Sequence, residues 1–417
     1  MFFRLKSKRG TTSVFLTMIL ASMLMAIGLF LHAASLAASR SCADAVFDLA
    51  GRSLLSEYDL KLQERYNLYA FHTDESEAES KVKHYADYSF HDNFVKEVIR
   101  GRTYKDLMKL KLDSVNVDLK GYSLTDVNQF EQQILEYMKI GIAKESIITE
   151  EESPAGEDSH VLRNEQIINS LPSCGYQSSM VADLKNIVES GLPSLSDIYT
   201  GAKDDYLVNE YILSHFYDHR RGNTDGDSFY TNEVEYILHG DFSDEDNYHF
   251  IRAELFVMRN TLNLAHINSD PQKVKKAEAV AALLTLGRGY KVGAPVVIEA
   301  WAAAEAENDL RLLEDGKTVA LVKGKTNWAV PISSTLEYFW NDNYCKPNEM
   351  NGYDYQDYLR ILLYLENNEK KLLRCMDLIQ INMVGSYNRD FNLKEYYGGF
   401  HLEAVAKGKT FTYDHKY

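Results

Sequence analysis

Two histidines four residues apart are the first group in this sequence whose types and spacing could do chemistry. His215 and His219 have the spacing that brings two imidazoles to one face of a helix, as in zinc proteases. Those enzymes carry a catalytic glutamate directly after the first histidine, and here that position holds Phe216. We therefore expect a solvated helix end here, and no zinc site.

Acidic side chains just downstream outline a loop that could meet calcium outside a cell. An EF-hand loop requires glycine at its sixth position and glutamate at its twelfth, and this chain has Ser228 and Val234 there. The candidate ligands are Asn223, Asp225, Asp227 and Glu233. Because the pattern is incomplete, the sequence predicts neither a metal nor another cofactor.

Three Gly-Lys-Thr triplets, at 316–318, 324–326 and 408–410, have the ending of a phosphate-binding loop. Such a loop also needs a glycine five residues earlier, and those places hold Arg311, Val319 and Glu403. The triplets are therefore predicted to be turns.

One pair of carboxylates, Glu305 and Asp309, shares a helix face. Glycosidic cleavage needs two carboxyl groups across a cleft, so we expect this pair on the solvated surface. No complete catalytic constellation is present in the sequence, and the prediction is a protein that is not an enzyme.

Four cysteines occur, with no Cys-x-x-Cys motif: Cys42, Cys174, Cys345 and Cys375. Two disulfides are compatible with an exterior compartment, but sequence alone does not assign a pairing. Cys375, between Leu373 and Met376, can equally be a small buried apolar residue, as Trp301 is expected to be a core residue.

Charge separates the beginning of the chain from the rest. The 417 residues carry a formal net charge of −16, yet residues 1–43 hold five basic groups and no acidic one, so the remainder has −21. An acidic body repels phosphate backbones, which excludes nucleic acid as an expected partner. The apolar fraction of 45% is ample for packed cores and excludes a disordered chain.

A membrane-spanning helix is predicted within this acid-free first part of the chain. The 21 residues of 14–34 are almost continuously apolar and would span about 31 Å as a helix. The residues expected to face lipid include Val14, Leu20, Leu24, Leu29 and Ala34. A basic cluster precedes the span, so the positive-inside rule predicts a single-pass protein of the cell membrane with a cytoplasmic N-terminus and an extracytoplasmic body.

A cleaved secretory signal is the alternative interpretation of the same segment. Ser35-Leu36-Ala37 resembles a small-residue cleavage site. The apolar run is longer than the usual core of a signal peptide, and the helical pattern continues beyond it, which favours a retained anchor.

Helical spacing continues after Arg40, which predicts one long helix from about Thr11 to about Tyr66. The apolar face of its outer half is formed by Cys42, Val46, Leu49, Ala50, Leu54, Tyr58 and Leu62. Further helices are predicted at 76–99, from Thr125 onward, and at 204–217, 245–264, 271–286, 295–314 and 355–382. Short strands are predicted at 112–119, 319–322, 328–332, 400–406 and 410–413, the last two forming a hairpin around Gly408.

The predicted fold class is α+β, mainly α, with a long N-terminal transmembrane-plus-stem helix and a mostly helical ectodomain that contains short β-hairpins. The predicted parts are a cytoplasmic leader at 1–10, a transmembrane helix at 11–36 and a stem with a membrane-proximal α+β region at 37–148. An acidic linker at 149–159 and a mainly helical domain at 160–417, with the C-terminal hairpin, follow.

The leader Lys-Ser-Lys-Arg-Gly followed by Thr-Thr-Ser-Val-Phe, which opens an apolar helix and an amphipathic stem, resembles type IV prepilins and the pseudopilin-like proteins of Tad/Flp pilus systems. The resemblance implies cleavage by a prepilin peptidase between Gly10 and Thr11. Major pilins carry a glutamate at the fifth mature position, where this chain has Phe15, so the resemblance implies an accessory protein and not a major fibre subunit.

Other segments resemble a family of uncharacterised membrane-anchored proteins from Firmicutes that is related to Tad pilus-assembly components. They include 54–71, 123–139, 233–247, 298–317 and 353–365. The resemblance implies a pseudopilin-like accessory of a Tad/Flp-type pilus or secretion apparatus, with the lipid bilayer, a prepilin peptidase and other pilus-assembly proteins as partners. Two alternatives stay open, an anchored sensor or adhesin that binds an envelope ligand or partner protein, and a cell-wall hydrolase.

Overall fold

The structure, a computed structural model, describes residues 9–90, 110–141, 171–178, 181–191, 203–222, 226, 228–286, 290–335 and 344–417. These residues are mainly helical, with a long apolar helix near the N-terminus and two small antiparallel sheets, which confirms the predicted fold class. The described chain forms two compact units.

The first unit comprises the described parts of Met1–Asp59, Tyr69–Ser123 and Glu395–Tyr417. It contains helix α1 (Arg9–Leu55) and α3 (Glu75–Phe90). Its strands are β1 (Phe71–His72), β2 (Leu112–Asp118), β3 (Tyr396–Tyr397), β4 (Gly399–Ala406) and β5 (Lys409–Lys416). Strands β2, β4 and β5 form an antiparallel sheet in that order, and β1 pairs with β3.

The core of the first unit lies between α1, α3 and the three-stranded sheet. Leu402 on β4 pairs with Val117 on β2 and with Tyr413 on β5, so alternate residues of β4 face the helices. Helix α1 contributes Ala43, Phe47, Ala50 and Leu54 to this core. The outer half of α1 is therefore buried along one stripe.

The second unit comprises Leu60–Leu68 and the described parts of Leu124–Lys394. Its helices are α2 (Leu60–Tyr66), α4 (Val127–Gly141), α5 (Val181–Ser190), α6 (Lys203–His215), α7 (Glu233–His239), α8 (Asp244–Ser269), α9 (Pro271–Leu284), α10 (Tyr290–Glu314), α11 (Tyr355–Leu365) and α12 (Asn368–Ser386). Two short 3₁₀ helices lie at Ile332–Ser334 and Leu393–Glu395, the second spanning the boundary of the units. Helices α8, α9 and α10 pack side by side around Ile267, Ala277 and Trp301.

The hairpin β4–β5 confirms the prediction around Gly408, where Lys407 and Gly408 both have positive φ. This hairpin is predicted to belong with residues 160–417, whereas the structure assigns it to the first unit. Pairing of β2 with β4 joins residues almost 300 positions apart, and no local pattern reports such a pairing. The predicted linker at 149–159 lies outside the described residues.

Several predicted element boundaries were wrong. The long helix ends at Leu55 and not at Tyr66, because the chain turns where the Asp59 N–H donates to Ala70 O (2.9 Å) and Tyr396 donates to the Asp59 carboxylate (3.1 Å). The segment 355–382 contains two helices, since Asn367 caps α12. Asp126, and not Thr125, accepts the first N–H groups of α4.

Helix α10 begins five residues before Pro295, which lies within it. The added turn packs closely on α9, because a Cβ on Gly293 would lie 3.4 Å from Ala281 Cβ. The predicted strands at 319–322 and 328–332 are absent from the described chain, where Val319 forms one isolated bridge with Tyr353.

Candidate functional site: a lysine-lined pocket and the buried charges behind it

A buried group of charges fixes the loop that follows α10. Lys323 from this loop lies with its Nζ 2.6 Å from Glu305 Oε1 and 2.6 Å from Asp309 Oδ1, both on α10. All three side chains are almost fully buried. Burial raises the pKa of Glu305, and Lys323 opposes that shift. An ion pair of this kind holds the loop only where every charge has a partner.

Arg259 on α8 completes the charge balance of this group. Its guanidinium contacts Asp309 Oδ2 through Nε (3.0 Å) and Nη2 (2.9 Å). It also donates to Leu321 O (2.8 Å) and Tyr358 Oη (3.1 Å). Two cations and two carboxylates therefore neutralise one another, and the loop is tied to both α8 and α10.

Glu305 also sets the path of the loop further along. Its carboxylate accepts the N–H groups of Ala329 (2.9 Å) and Val330 (2.7 Å), while the indole N–H of Trp301 donates to Val330 O (2.8 Å). A β partner would need those same backbone groups, which explains why the predicted strand at 328–332 does not form. The result is a fixed loop that presents Trp328 and Lys325.

A pocket of about 540 Å³ opens between this loop and the first turns of α9. Helix α9 starts at Pro271 after Asp270, whose carboxylate caps it by accepting the Gln272 N–H (2.9 Å). The helix contributes polar lining residues, and the loop contributes an apolar wall together with Lys325. The lining residues include Asp270, Lys273, Lys276, Lys325, Trp328 and Ile332.

Lys273 is the most unusual residue of this pocket. Its side chain is about 8% exposed, and its Nζ has no hydrogen-bond partner among the described residues. The ammonium group lies over two indole rings, 3.1 Å from the centroid of Trp328 and 5.3 Å from that of Trp301. Burial lowers the pKa of Lys273 to about 7, although Glu305 and Asp270 oppose the shift.

His215 and His219 have different ring partners in the structure. Helix α6 ends at His215, so His219 lies beyond it and the two rings face different neighbours. His215 stacks on Tyr211 with 4.2 Å between ring centroids, and burial lowers its pKa to about 4. His219 stacks on Tyr248 at 3.7 Å. The helix ends here as expected, but the two rings are half-buried and packed on aromatic neighbours instead of being solvated.

Of the calcium candidates, the structure describes Glu233, whereas Asn223, Asp225 and Asp227 lie outside the described residues. Glu233 is fully buried and accepts hydrogen bonds from the Tyr217 N–H (2.8 Å), the Asn382 side chain (2.6 Å) and the Ser228 hydroxyl. Among the described residues, no group of three His, Cys, Asp or Glu side chains is placed to hold a metal ion. Glu233 thus anchors the surrounding loop.

Glu305 and Asp309 were expected on the solvated surface, and the structure corrects this expectation because both are buried against Lys323 and Arg259. Trp301 is buried in the core as predicted. Two of the three Gly-Lys-Thr triplets begin with a glycine of positive φ, Gly316 after α10 and Gly408 in the hairpin, as their prediction as turns requires. The third contributes Lys325 to the pocket.

Cys42, Cys174 and Cys375 form no disulfide with a described residue. Cys42 and Cys345 are half-buried, Cys174 is exposed and Cys375 is buried. Burial raises the pKa of the Cys375 thiol well above its usual value, as befits a small apolar core residue.

Helix α1 is the described helix that is long and apolar enough to cross a membrane. Its most apolar window has a mean hydropathy of 2.5, and none of that window is buried. Gly10 and Thr11 lie in its first turn. Val14, Leu20, Leu24, Leu29 and Ala34 are all exposed, as lipid-facing residues would be.

Residues 153–408 match DUF5702, a protein family of unknown function. The chain belongs to the DUF5702 family. Comparisons with curated proteins and with solved structures give no match. The matched range includes α8, α9, α10 and the loop to Ile332, so the whole pocket lies inside the DUF5702 region.

The lysines of the DUF5702 pocket were missed by the sequence analysis. Asp270-Pro271 is a recognisable helix start, and Lys273 and Lys276 fall three residues apart on the helix that follows. That spacing could have marked a basic helix face. Nothing local to the sequence indicates that Lys325, some 50 residues later, joins the same face.

Proposed function

We propose that the protein is a non-enzymatic, single-pass membrane protein that acts as a pseudopilin-like accessory of a Tad/Flp-type pilus or secretion apparatus. Its N-terminus would be cytoplasmic and its two folded units extracytoplasmic. The observation that carries the proposal is the continuity of α1, which runs for 47 residues from an exposed apolar half into a half buried in a folded unit.

The apolar half of α1 supports the membrane part of the proposal. Thr12 to Ala34 is exposed along its whole length and carries no Asp, Glu, Lys or Arg. Exposed apolar surface of this extent is unfavourable in water and favourable in a bilayer about 30 Å thick. The basic residues at 4, 6, 8 and 9 favour a cytoplasmic location for the preceding segment.

The buried half of α1 supports the pilin-like part. Phe47 packs against Phe411 of β5, with 5.5 Å between ring centroids, and Tyr413 donates to Asp44 O (3.1 Å). The helix therefore packs on an antiparallel sheet directly after its apolar half. An apolar helix that continues as an amphipathic stem is the arrangement on which the prepilin resemblance rests.

The N-terminus of the mature protein, sequenced from native membranes, tests this proposal. We expect a start at Thr11, and the variant Gly10→Val should keep the leader. Gly28→Val is the matched control, since Gly28 lies in the same helix with open space around it, and it should be processed normally. A wild-type protein that retains Met1 contradicts the pseudopilin assignment, and a start at Ala38 would indicate secretion.

A sensor or adhesin that binds an envelope ligand is the second candidate function, and the lysine-lined pocket is the observation that favours it. The genes beside this one discriminate between the two functions. A secretion ATPase and a prepilin peptidase favour the assembly role, whereas their absence favours the sensor.

A further inference from the structure

We propose that the pocket between α9 and the loop after α10 binds a phosphate-bearing small molecule through Lys273, Lys276 and Lys325. This inference goes beyond the proposed function, because the pocket can bind a ligand whether or not the N-terminus is processed as a prepilin. The ligand class follows from the charges of the pocket, its apolar wall and its size.

Lys273 is the first argument, because its ammonium group is buried without a hydrogen-bond partner among the described residues. A buried ammonium normally has an acceptor, since water no longer solvates it. The two indole rings compensate only part of this cost. An anion in the adjoining pocket would supply the missing acceptor after a small rotation of the flexible lysine side chain.

The two acidic side chains near Lys273 already accept hydrogen bonds from other groups. Asp270 caps α9 through the Gln272 N–H, and Glu305 accepts from Lys323 and from two backbone N–H groups. Both carboxylates attract the ammonium of Lys273 over a longer distance, while Lys276 and Lys323 repel it. The local balance therefore leaves a positive pocket in a chain whose net charge is −16.

Two exposed lysines at the pocket provide the rest of the charge. Lys276 lies one turn beyond Lys273 on α9, and Lys325 extends from the loop on the other side. Neither forms an ion pair with a described residue. Three ammonium groups that approach from two elements suit a compact, multiply charged anion, and lysine is a common point-charge ligand of phosphate.

The remaining wall indicates that the phosphate is attached to an organic group. Trp328, Pro331 and Ile332 form an apolar side of the pocket, and the volume of about 540 Å³ is within the usual range for small-molecule sites. An inorganic ion would fill only a fraction of that space. A phosphate ester with a small organic body fits both sides of the pocket.

Calorimetric titration of the full-length protein in lipid nanodiscs with glycerol 3-phosphate tests the proposal. We expect saturable binding that Lys276→Gln and Lys325→Gln each weaken by about 5- to 10-fold, as for charge-assisted contacts at a partly exposed site. Lys273→Met should weaken it at least as much. Lys275→Gln is the matched control, because Lys275 is exposed on the same helix and does not line the pocket.

The same titration has outcomes that overturn the proposal. No saturation at millimolar glycerol 3-phosphate does so, and so does an equal loss with Lys275→Gln. If Lys273→Met fails to fold, the Lys276→Gln and Lys325→Gln variants still test the proposal. Tighter binding of citrate than of glycerol 3-phosphate would overturn the assignment to phosphate.

The lipid composition of the nanodisc distinguishes two sources of the phosphate. If the natural ligand is a lipid headgroup, phosphatidylglycerol discs should raise the apparent Kd for glycerol 3-phosphate relative to phosphatidylcholine discs. An equal Kd in both discs assigns the pocket to a free phosphate ester.

Discussion

Glu235 is a buried carboxyl group of the second unit, and its surroundings determine its protonation. Its buried Oε1 accepts hydrogen bonds from the His219 N–H (3.1 Å) and from Tyr355 (2.7 Å), whereas Oε2 has no hydrogen-bond partner among the described residues. Burial, reinforced by the nearby Asp218, raises the pKa of Glu235 to about 8. The folded protein thus holds a proton at neutral pH that the unfolded chain releases.

The variant Glu235→Gln should become more stable relative to wild type as pH rises. Because the pKa of Glu235 is higher in the folded state, its contribution is fully present below pH 4 and is lost as pH rises through about 8. Glutamine does not ionise, so we expect an advantage of about 5 kcal/mol at pH 9 and little at pH 4. Urea unfolding followed by tryptophan fluorescence measures it, since Trp301 and Trp328 belong to the second unit. An advantage that does not change with pH, or one shared by the exposed Glu369→Gln, would contradict this explanation.

Lys323 is expected to be a stabilising residue because two buried carboxylates depend on it. Lys323→Met leaves Glu305 without its cation and Asp309 with Arg259 alone, which should lower the free energy of unfolding by about 3–5 kcal/mol. Lys317→Met, at a half-exposed ion pair with 3.7 Å to Asp315, should cost less than about 1 kcal/mol. Similar losses in the two variants would mean that the buried group is not what holds the loop.

The limits of sequence reasoning at this scale have a physical cause. The spacing of Glu305 and Asp309 correctly places them on one helix face, but their partners lie about 50 residues earlier and 14 to 18 residues later. Whether such a face is solvated or buried depends on those distant cations. The same applies to His215, whose ring partner Tyr211 is local but whose burial comes from other helices.

Among the elements, α1 was predicted well in its continuity and less well in its orientation. Of the predicted inward face, Ala50 and Leu54 are buried, together with Ala43 and Phe47, whereas Leu49 is 57% exposed. Both faces have apolar residues at helical spacing. Only the packing of the sheet on the helix determines which face is buried. The end of α1 was missed since no Gly or Pro marks residues 56–59.

Gly51 is where α1 comes closest to the sheet. A Cβ at this position would lie 2.1 Å from His415 Nε2 and within 2.7 Å of three atoms of that buried ring. Gly51→Ala should therefore destabilise the packing of β5 by about 1–3 kcal/mol, although alanine favours a helix. Hydrogen exchange of the 409–417 peptide measures this effect.

Gly385→Ala provides the comparison for Gly51→Ala, since Gly385 is also helical but a Cβ there meets nothing within 4 Å. It should leave exchange of the 409–417 peptide unchanged. Unchanged exchange in Gly51→Ala as well would mean that the imidazole of His415 moves aside without cost.

For the whole molecule, the division into units does not follow the order of the chain. The first unit takes segments from both ends of the sequence, and the second unit includes the short segment Leu60–Leu68 as well as the middle. A shift in composition along a chain can indicate a linker. It cannot indicate that the C-terminal strands join a unit formed by the N-terminal segments. This is why the mainly helical class was predictable and the membership of the hairpin was not.

The proposed membrane attachment through α1 gives a prediction for the full-length protein. Leu24→Arg introduces a charge in the middle of the apolar half, at a cost of about 3 kcal/mol for insertion. We expect the variant to shift from the carbonate-resistant membrane fraction into the soluble fraction or to be degraded. Leu49→Arg, an exposed leucine in the outer half of the same helix, should stay with the membrane. Full retention of Leu24→Arg would argue against a membrane span at this position.

The unbroken α1 also has a mechanical consequence. A rod of 47 residues, about 70 Å long, allows little independent swivelling between its two halves. Any axial force or torque on the apolar half therefore acts directly on Phe47 and Leu54 as shear against the strands. If an apparatus pulled on α1, the force would load the packed core of the first unit before it extended any linker.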